Sequence, residues 1–377
     1  MVYLTRLDLY GLRNLQRARL DCNPQTNIIY GQNGSGKTSL LEGLSLLSRA
    51  RSFRQRDTKA IINHESEQLV VSARCKRHHG NVSQPTASLG IQRSRTATLQ
   101  ARHNGESVSS AMELSALLPL QIIEPQSFQL LEGGPLQRRQ FIDWGVFHVE
   151  QAYRSHWLAY QRGLKQRNEL LRRGRITSDL LAPWSSSIAA HGEAISGFRQ
   201  AYLQALTPYV RRQLASFGAL DGVELQYQSG WSVEHGTLLQ ALEASEQRDI
   251  KRGLTHCGPH RAELKVTVSG HSAAEVMSRG EVKLLVYALK LAQAQYYAAH
   301  HGEPCVLAID DLPAELDYRH RGQVLAAVVA LQGQSFITGV DRGDFSPFGV
   351  EIGEASLFHV EQGEVSAADG FGGSATI

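Results

Sequence analysis

A glycine-rich loop between an apolar strand and a helix, close to the start of the chain, restricts the fold more than any other feature. The residues from Asn27 to Tyr30 predict a buried strand, and a helix is predicted to begin near Ser39. Between them lies Gly31-Gln32-Asn33-Gly34-Ser35-Gly36-Lys37-Thr38, which has the spacing G-x-x-x-x-G-K-T. Strand, loop and helix in this order form the phosphate-binding unit of α/β nucleotide-binding proteins.

This loop predicts a site for a nucleoside triphosphate such as ATP. Its backbone N–H groups turn towards the phosphates, and the N-terminus of the following helix adds partial positive charge. Lys37 supplies a charge to the phosphates and supports catalysis, and the hydroxyl of Thr38 binds Mg²⁺. The predicted nucleotide contacts are Gly31, Gln32, Asn33, Gly34, Ser35, Gly36, Lys37, Thr38 and Ser39.

Length and composition set the broad class. With 377 residues the chain suits two domains, or one domain with an insertion, and 42% hydrophobic against 20% charged residues is typical of a globular protein. The apolar runs are too short to cross a bilayer and the N-terminus lacks a signal-peptide core, so we expect a cytoplasmic protein without membrane contact. Four widely separated cysteines argue against disulfides or a zinc site. The net charge of only +3 requires any affinity for nucleic acid to come from local basic patches.

The order of patterns along the chain predicts an α/β domain interrupted by helices. β-like runs extend to about residue 132, including a strand over residues 120–123. After Gly133-Gly134-Pro135, apolar residues recur at helical spacing in two consecutive segments, which predicts an antiparallel helical hairpin. Arg173-Gly174-Arg175 and Ala182-Pro183 are expected between the two helices. The predicted domains are 1–132, the inserted arm 133–218, and 219–377.

A second motif, which is acidic, completes the nucleotide site predicted from the glycine-rich loop. Residues 305–309 form an apolar strand that ends in Asp310 and Asp311. Ligands bind at the carboxyl ends of parallel strands. Asp310 is therefore expected to hold Mg²⁺, directly or through water, and Asp311 to polarise the attacking water as a catalytic residue.

Ser278-Arg279-Gly280, at the start of an apolar helix, resembles the signature loop of ABC-type ATPases, and residues 314–317 are similar to their D-loop. The resemblance implies that the loop contacts the γ-phosphate of the nucleotide bound by another subunit. It also implies that ATP binding closes a homodimer and that hydrolysis releases it.

Within that class the chain resembles the RecF family of bacterial recombination-repair and replication-gap proteins over nearly its whole length. The matching stretches are residues 11–15, 52–54, 124–127, 132–143, 258–261, 278–280, 310–317 and 334–339. The resemblance implies an α/β fold, a P-loop ABC/SMC-like ATPase head with an inserted helical-hairpin arm. The implied activity is ATP-dependent dimerisation on DNA with slow, DNA-stimulated hydrolysis, helping to load recombinase at gaps together with mediator proteins.

The same resemblance assigns further residues. Ser278, Arg279 and Gly280 are expected to contact the partner's nucleotide; Arg13 and Asn14 fall where related heads reach the nucleotide, and Gln126 is the candidate Q-loop residue. The chain departs from the family pattern at Glu281, where a glutamine is usual. Ala262-Glu263 keeps only one of the two acidic residues usual at that place. No histidine follows the strand that contains Thr338, and Thr338 is expected to take the place of that histidine.

Two basic segments predict contacts with the phosphate backbone of DNA, without sequence-specific readout. The first contains Arg49, Arg51, Arg54, Arg56 and Lys59; the second contains Arg154, Arg162, Lys165, Arg167, Arg172, Arg173 and Arg175. Gapped, single-stranded or junction DNA is the expected ligand. Two alternatives stay open: an ABC-like regulatory or transporter-like ATPase whose arm docks a protein and not DNA, and an ABC-like head fused to a nuclease.

Overall fold

The computed structural model describes residues 2–55, 57–79, 82–83, 85–96, 98–173, 177–218, 222–232, 236–352 and 354–368. Its strands are β1 (Val2–Leu12), β2 (Leu15–Asp21), β3 (Thr26–Tyr30), β4 (Gln68–His79), β5 (Val82–Ser83), β6 (Ala87–Ser94), β7 (Gln100–His103), β8 (Glu106–Ser107), β9 (Leu120–Ile123), β10 (Val223–Gln228), β11 (Glu263–Val268), β12 (His271–Ser272), β13 (Val306–Ile309), β14 (Ser335–Gly339), β15 (Ala355–Glu361) and β16 (Glu364–Ala368). Its helices are α1 (Lys37–Arg49), α2 (Ala111–Leu117), α3 (Gln129–Glu132), α4 (Pro135–Val149), α5 (Tyr153–Arg172), α6 (Ser178–Phe217), α7 (Leu238–Ala244), α8 (Glu246–Arg252), α9 (Ala273–Val276), α10 (Arg279–His301), α11 (Leu312–Glu315), α12 (Tyr318–Ala330) and α13 (Gly349–Ile352).

The chain divides into two compact units, one formed by residues 1–127 and 287–377 and the other by residues 128–286. The second unit contains the predicted arm, 133–218, but continues beyond it. Residues after the arm belong with the arm helices because α7 and β10 pack on α6, and α8 packs on α5. The return to the first unit therefore comes within α10, well after the expected boundary at residue 219.

The first unit contains two sheets. One has the order β16-β15-β3-β14-β13-β9, in which only β16 is antiparallel to its neighbour. The other is antiparallel, with the order β2-β1-β4-β6-β7-β8 and β5 paired to β4. The strands predicted over residues 120–123 and 305–309 are confirmed as β9 and β13.

Helix α1 lies at the centre of the first unit's core. Leucines cover most of its circumference, and a helix that is apolar on all sides is buried on all sides. Its leucines share one hydrophobic cluster with side chains from both sheets, including Leu9, Val71 and Phe336. The glycine loop at its start is thus attached to a helix that is buried along nearly its whole length.

The second unit is built around the predicted hairpin, which is confirmed. Tyr153 contacts Phe198, His156 contacts His191, and Arg167 contacts Ser185, so partners further along α5 lie earlier in α6. The expected break at Ala182-Pro183 is wrong, because α6 already begins at Ser178 and includes them. A proline there removes one hydrogen bond within the helix but does not end it. Strands β10, β11 and β12 form a small antiparallel sheet in the same unit.

Candidate nucleotide-binding site and basic surface

The carboxyl ends of three parallel strands bring the predicted phosphate and magnesium residues to one edge of the sheet. β14 lies between β3 and β13, with Gly339 opposite Tyr30 and Ile309 opposite Ile337. The P-loop (residues 31–38) follows β3, Asp310 follows β13, and Thr338 lies near the end of β14. The two sequence motifs therefore meet across one intervening strand.

The P-loop depends on glycine at two of its bends. Gly31 and Gly36 have φ values of 155° and 124°, which other residues rarely adopt. A Cβ on Gly31 would lie 2.1 Å from the carbonyl oxygen of Val360, and one on Gly36 would lie 2.7 Å from Cδ2 of Leu15. Gly36 is the N-cap of α1 and supplies no side-chain cap, so the helix N-terminus can receive an anion.

Lys37 is held inside the loop by the loop's own carbonyls. Its Nζ donates to the oxygens of Gly31 at 2.5 Å and Gln32 at 3.0 Å. Burial lowers the pKa of Lys37, while Asp311 and Asp310 act against that shift. The Oγ of Ser35 and the Oδ1 of Asp311 are buried without a hydrogen-bond partner in the described part of the chain. Such unpaired groups fit a site that a phosphate and a water molecule would complete.

Asp310 joins the P-loop to β14 through two threonines. The Oγ1 of Thr38 lies 3.1 and 3.0 Å from the two carboxylate oxygens, and Thr338 Oγ1 donates to Asp310 Oδ1 at 2.8 Å. Burial raises the pKa of Asp310, and these two hydrogen bonds offset part of the increase. Hydroxyl and carboxylate oxygens are ligands that suit Mg²⁺, so Thr38 and Asp310 fit the predicted metal.

Thr338 has a second role, which the sequence did not reveal. Its Oγ1 accepts a hydrogen bond from the backbone N–H of Asp311 at 2.7 Å, and its side chain is fully buried. Asp311 adopts φ 53°, an uncommon conformation for a residue other than glycine. Thr338 therefore holds the carboxylate of Asp310 and the backbone of Asp311 in place together.

Of the two residues predicted beside the loop, the structure places only Asn14 against it. Asn14 Nδ2 donates to the oxygen of Gly34 at 3.0 Å and its Oδ1 accepts from Ser39 Oγ at 3.1 Å. Arg13 instead makes two 2.9 Å hydrogen bonds to Glu42, a fully buried carboxylate in α1. Arg13 therefore braces the P-loop helix, and its contact with the nucleotide stays a prediction. Sequence reasoning missed Glu42, which reads as an ordinary helix residue.

The loop after α1 is also tied to Glu42. Ser52 Oγ donates to Glu42 and accepts from the N–H groups of Arg54 and Gln55 at 2.9 and 3.0 Å. Arg54 is near enough to Asp310 to act against the rise in that carboxyl's pKa. The charge of Arg54, which was expected to contact DNA, therefore acts on the candidate metal site. Arg51 is exposed, whereas Arg56 lies outside the described residues.

Gln126, the predicted Q-loop residue, is exposed, whereas Glu124, two residues before it, is held near Asp310. The backbone N–H of Gln126 donates to Glu124 Oε2 at 2.7 Å. Glu124 follows β9, next to Asp310, whose N–H donates to the oxygen of Ile123 at 2.8 Å. Burial raises the pKa of Glu124 to about 7, against the effect of Lys290 and Arg49. The assignment of Gln126 to the nucleotide stays a prediction.

The signature loop (Ser278, Arg279 and Gly280) belongs to the second unit and is exposed. Ser278 donates through its N–H at 2.8 Å and its hydroxyl at 2.7 Å to Glu281 Oε2, and its Oγ accepts from the N–H of Glu281 at 3.4 Å. This reciprocal arrangement is a capping box at the start of α10. It lowers the pKa of Glu281 and gives the unusual acid a structural role.

Five of the predicted DNA-binding side chains on the arm are exposed: Arg154, Arg162, Lys165, Arg172 and Arg173. Arg154 and Lys165 are about three helical turns apart, and Lys165 and Arg172 about two, so all three lie on one face of α5. We call these three residues the basic stripe; it spans about 27 Å. Arg175 lies outside the described residues.

The prediction that Arg167 contacts DNA is wrong. Its side chain is fully buried, and Nη1 donates to Asp249 Oδ2 and to Thr255 Oγ1, both at 2.8 Å. The spacing of Tyr160, Leu164 and Leu171 could have shown this, because residue 167 falls on the same buried face. Arg167 is a structural ion-pair residue and not part of the basic stripe.

Two further observations concern the described residues alone. No group of three or more His, Cys, Asp and Glu side chains there converges in a way that would hold a metal ion. None of the helices in that part of the chain has the length and apolar character needed to span a membrane.

Comparisons with known proteins identify the family and the fold of the chain. The profile of the RecF/RecN/SMC N terminal domain matches residues 3–355. A protein of Marinomonas sp. (strain MWYL1) named DNA replication and repair protein RecF is 43% identical over 345 residues, which is 91% of this chain and 92% of that one. A protein of the same name from Stutzerimonas stutzeri (strain A1501) is 43% identical over 341 residues, 90% of each chain.

Solved structures show the same fold. The recombination mediator protein RecF with ATP in the RecFOR pathway gives a TM-score of 0.85 at 25% identity and covers 98% of both chains. An Smc head domain derived from Pyrococcus furiosus gives a TM-score of 0.59 at 13% identity, covering 98% of this chain and 96% of that one. The chain therefore belongs to the RecF/RecN/SMC family and, within it, to the RecF proteins, with the fold of an SMC-like ATPase head.

Proposed function

We propose that this chain is an ATP-driven DNA clamp of replication and repair, which binds ATP with Mg²⁺, pairs with a second copy of itself, and hydrolyses ATP slowly. The observation that carries the proposal is the run of hydrogen bonds from Thr38 through Asp310 and Thr338 to Asp311. Phosphate loop, metal-binding carboxylate and water-activating carboxylate are thereby fixed in one arrangement. The names of the relatives support a role in replication and repair.

The residues of the site suit phosphoryl transfer to water. Lys37 would exchange the carbonyls of Gly31 and Gln32 for phosphate oxygens. Bound Mg²⁺, held by Thr38 and Asp310, would neutralise charge on the phosphates. Asp311 would orient the attacking water through its unpaired Oδ1; burial raises the pKa of this carboxyl, and the charge of Lys37 acts against the rise. The signature loop, capped by Glu281, would contact the γ-phosphate held by the other copy.

DNA is proposed as the ligand of the second unit because of the basic stripe. A linear array of exposed cations about 27 Å long suits a polyanion, and such contacts bind the phosphate backbone without reading sequence. Gapped or junction DNA as the ligand, and mediator proteins as partners, are proposed only because the chain belongs to the RecF proteins. Steep loss of DNA affinity with rising salt is the expected signature.

Sedimentation of the full chain with and without ATP, Mg²⁺ and gapped DNA tests the clamp. ATP should raise the mass of the wild type to that of a dimer, and Lys37→Met should abolish the increase. Lys265→Met, at an exposed lysine outside the P-loop and both basic segments, is the matched control and should behave as wild type. An unchanged wild-type mass with ATP would reject the dimer.

Charge reversal on the basic stripe distinguishes DNA binding by the arm from the alternative, in which the arm docks a protein and not DNA. Lys165→Glu with Arg172→Glu should abolish DNA binding and leave ATP-driven dimerisation intact. Arg167 is excluded from this test because it is buried. If DNA affinity survives the double reversal, the arm is not the DNA-binding surface and the protein-docking alternative gains support.

A further inference from the structure

A loop in the second unit is fixed by buried polar contacts although it has almost no regular structure. Residues 255–261, the anchored loop, contain only a short 3₁₀ turn at Pro259–Arg261. At one end, Thr255 donates from its N–H and its hydroxyl to Asn168 Oδ1, both at 2.8 Å, and accepts from the buried Arg167 at 2.8 Å. These contacts attach the start of the loop to α5.

The other end of the loop is held as firmly. Arg199, fully buried in α6, donates to the carbonyl oxygen of Pro259 at 2.7 Å. His260 Nδ1 lies 2.6 Å from the hydroxyl of Tyr160, and its Nε2 lies 3.0 Å from the oxygen of Thr255. Burial lowers the pKa of His260 to about 4, so the ring is neutral and can accept at one nitrogen and donate at the other. A loop fixed in this way presents its exposed side chains in one geometry.

The exposed side chain at the end of the loop is Arg261, and in the described part of the chain no carboxylate pairs with it. Arg139, in α4, donates from Nη1 to the carbonyl oxygen of the next residue, Ala262, at 2.8 Å. Burial lowers the pKa of Arg139, as does the charge of Arg199 and, less strongly, that of Arg261, whereas Glu263 and Asp143 act against the shift. Arg139 thus holds the backbone immediately after Arg261 at one end of the anchored loop.

The charges around this pair do not balance. Arg138 is paired with Glu263, and Arg199 is paired with Asp143. Both carboxylates are therefore already used by other guanidinium groups, and four arginines face only two acids. The surplus is carried by Arg139 and Arg261, and an anion is the natural partner of such a pair.

We propose that Arg139 and Arg261 bind a phosphodiester group of a nucleic-acid backbone, forming a second DNA contact in addition to the basic stripe. This inference rests on the proposed DNA-binding function and adds a place to it. Arg261 is exposed, which favours a polyanion over a small phosphate ligand. Because the anchored loop is already fixed, binding would require little further ordering.

Equilibrium binding of the full chain, with ATP and Mg²⁺, to a fluorescein-labelled DNA duplex over a series of salt concentrations tests the proposal. Arg261→Glu should lower affinity about tenfold or more at low salt, and should reduce the slope of log affinity against log salt by about one. Arg248→Glu, at an exposed arginine of α8 in the same unit, makes the same charge change and should have no such effect. Both variants should dimerise with ATP as wild type does.

The outcomes are distinguishable. If wild type binds DNA and Arg261→Glu matches Arg248→Glu, the contact is refuted while DNA binding stands. If wild type does not bind DNA, the proposed function fails and this inference fails with it. Arg261→Gln and a thermal melting curve guard against misfolding: the glutamine variant should melt as wild type does and still lose part of the salt slope.

Discussion

At the scale of single residues, Thr338 is the side chain whose importance the structure changes most. It donates to Asp310 and accepts from the N–H of Asp311 while fully buried. Thr338→Val keeps the shape but leaves both partners without their bond, which costs about 1–3 kcal/mol for a buried polar group. We expect a lower melting temperature and slower ATP hydrolysis.

Thr338→Ser is the matched control, since it keeps the hydroxyl and removes a methyl group. Steady-state ATPase assays and thermal melting of both variants would measure the difference. A valine variant that hydrolyses ATP as fast as the serine variant would show that Thr338 does not position the carboxylates.

His260 gives a prediction about pH at the same scale. Its pKa falls from 6.5 to about 4 on folding, because burial disfavours the charged ring. Between these values the unfolded chain binds a proton that the folded chain does not, so stability is full above pH 6.5 and declines as pH falls towards 4. At pH 5 the loss attributable to His260 is about 2 kcal/mol.

Melting curves of the wild type and of His260→Gln, each at pH 7 and pH 5, would measure this loss of stability. Glutamine can accept from Tyr160 and donate to Thr255 without titrating, so the variant should lose less stability than wild type over this interval. Equal losses in the two proteins would mean that His260 is not the titrating group.

Local patterns predicted the residues whose roles depend on neighbours in sequence. The P-loop and Asp310-Asp311 could be located because a strand, a loop and a helix, or a strand and an acidic turn, are contiguous. Glu42 and Thr338 could not be located, because their partners lie far away in the chain and only the fold brings them together. The contact of Arg13 with Glu42 was missed for the same reason, because no motif marks that acid in α1.

At the scale of helices and strands, α5 shows why charge alone does not identify a binding face. Arg167 forms a fully buried ion pair with Asp249, and its Nη2 has no hydrogen-bond partner in the described structure. Removing one partner of a buried pair typically costs about 3–5 kcal/mol because the other charge is left uncompensated. We therefore expect Arg167→Met to lower the melting temperature strongly.

Arg162→Met, on the exposed side of the same helix, should leave stability nearly unchanged. The double variant Arg167→Met with Asp249→Leu should recover part of the loss, because no buried charge remains unpaired. Urea unfolding of the three variants would test this order. A stable Arg167→Met protein that has lost only DNA affinity would restore the original assignment.

The ends of helices and strands matched the sequence prediction where an apolar run stops in the sequence itself. They differed from it where contacts between distant segments determine the boundary. The strands β9 and β13 matched their apolar runs. Pro183 was misread as a boundary because α6 tolerates it, and residues 219–286 were misassigned because β10 and α7 join α6 through contacts that no local pattern reveals.

At the scale of the whole molecule, Glu281 links a local cap to the proposed dimer. Its carboxylate caps α10, and in the dimer it would stand near the phosphates of the partner's nucleotide. Glu281→Gln keeps a capping side chain and removes a negative charge close to a polyanion. We expect dimerisation at lower ATP concentrations, with little change in melting temperature.

Glu281→Ala, which removes charge and cap together, is the comparison. Sedimentation across an ATP titration should show the glutamine variant dimerising more readily than both wild type and the alanine variant. If glutamine and wild type dimerise alike, the charge at this position does not influence the interface.

The pairing of β3 has a consequence for the order in which the chain can fold as it is synthesised. Its two neighbours in the sheet, β14 and β15, begin at Ser335 and Ala355, and both place a residue opposite Thr26. Parallel pairings over such separations form late, whereas residues 128–286 contain their own partners and can fold as soon as they leave the ribosome. A chain that stopped short of β14 would thus contain the elements of the second unit, while β3 and the P-loop would lack both of their neighbours in the sheet and the proposed ATP site could not form.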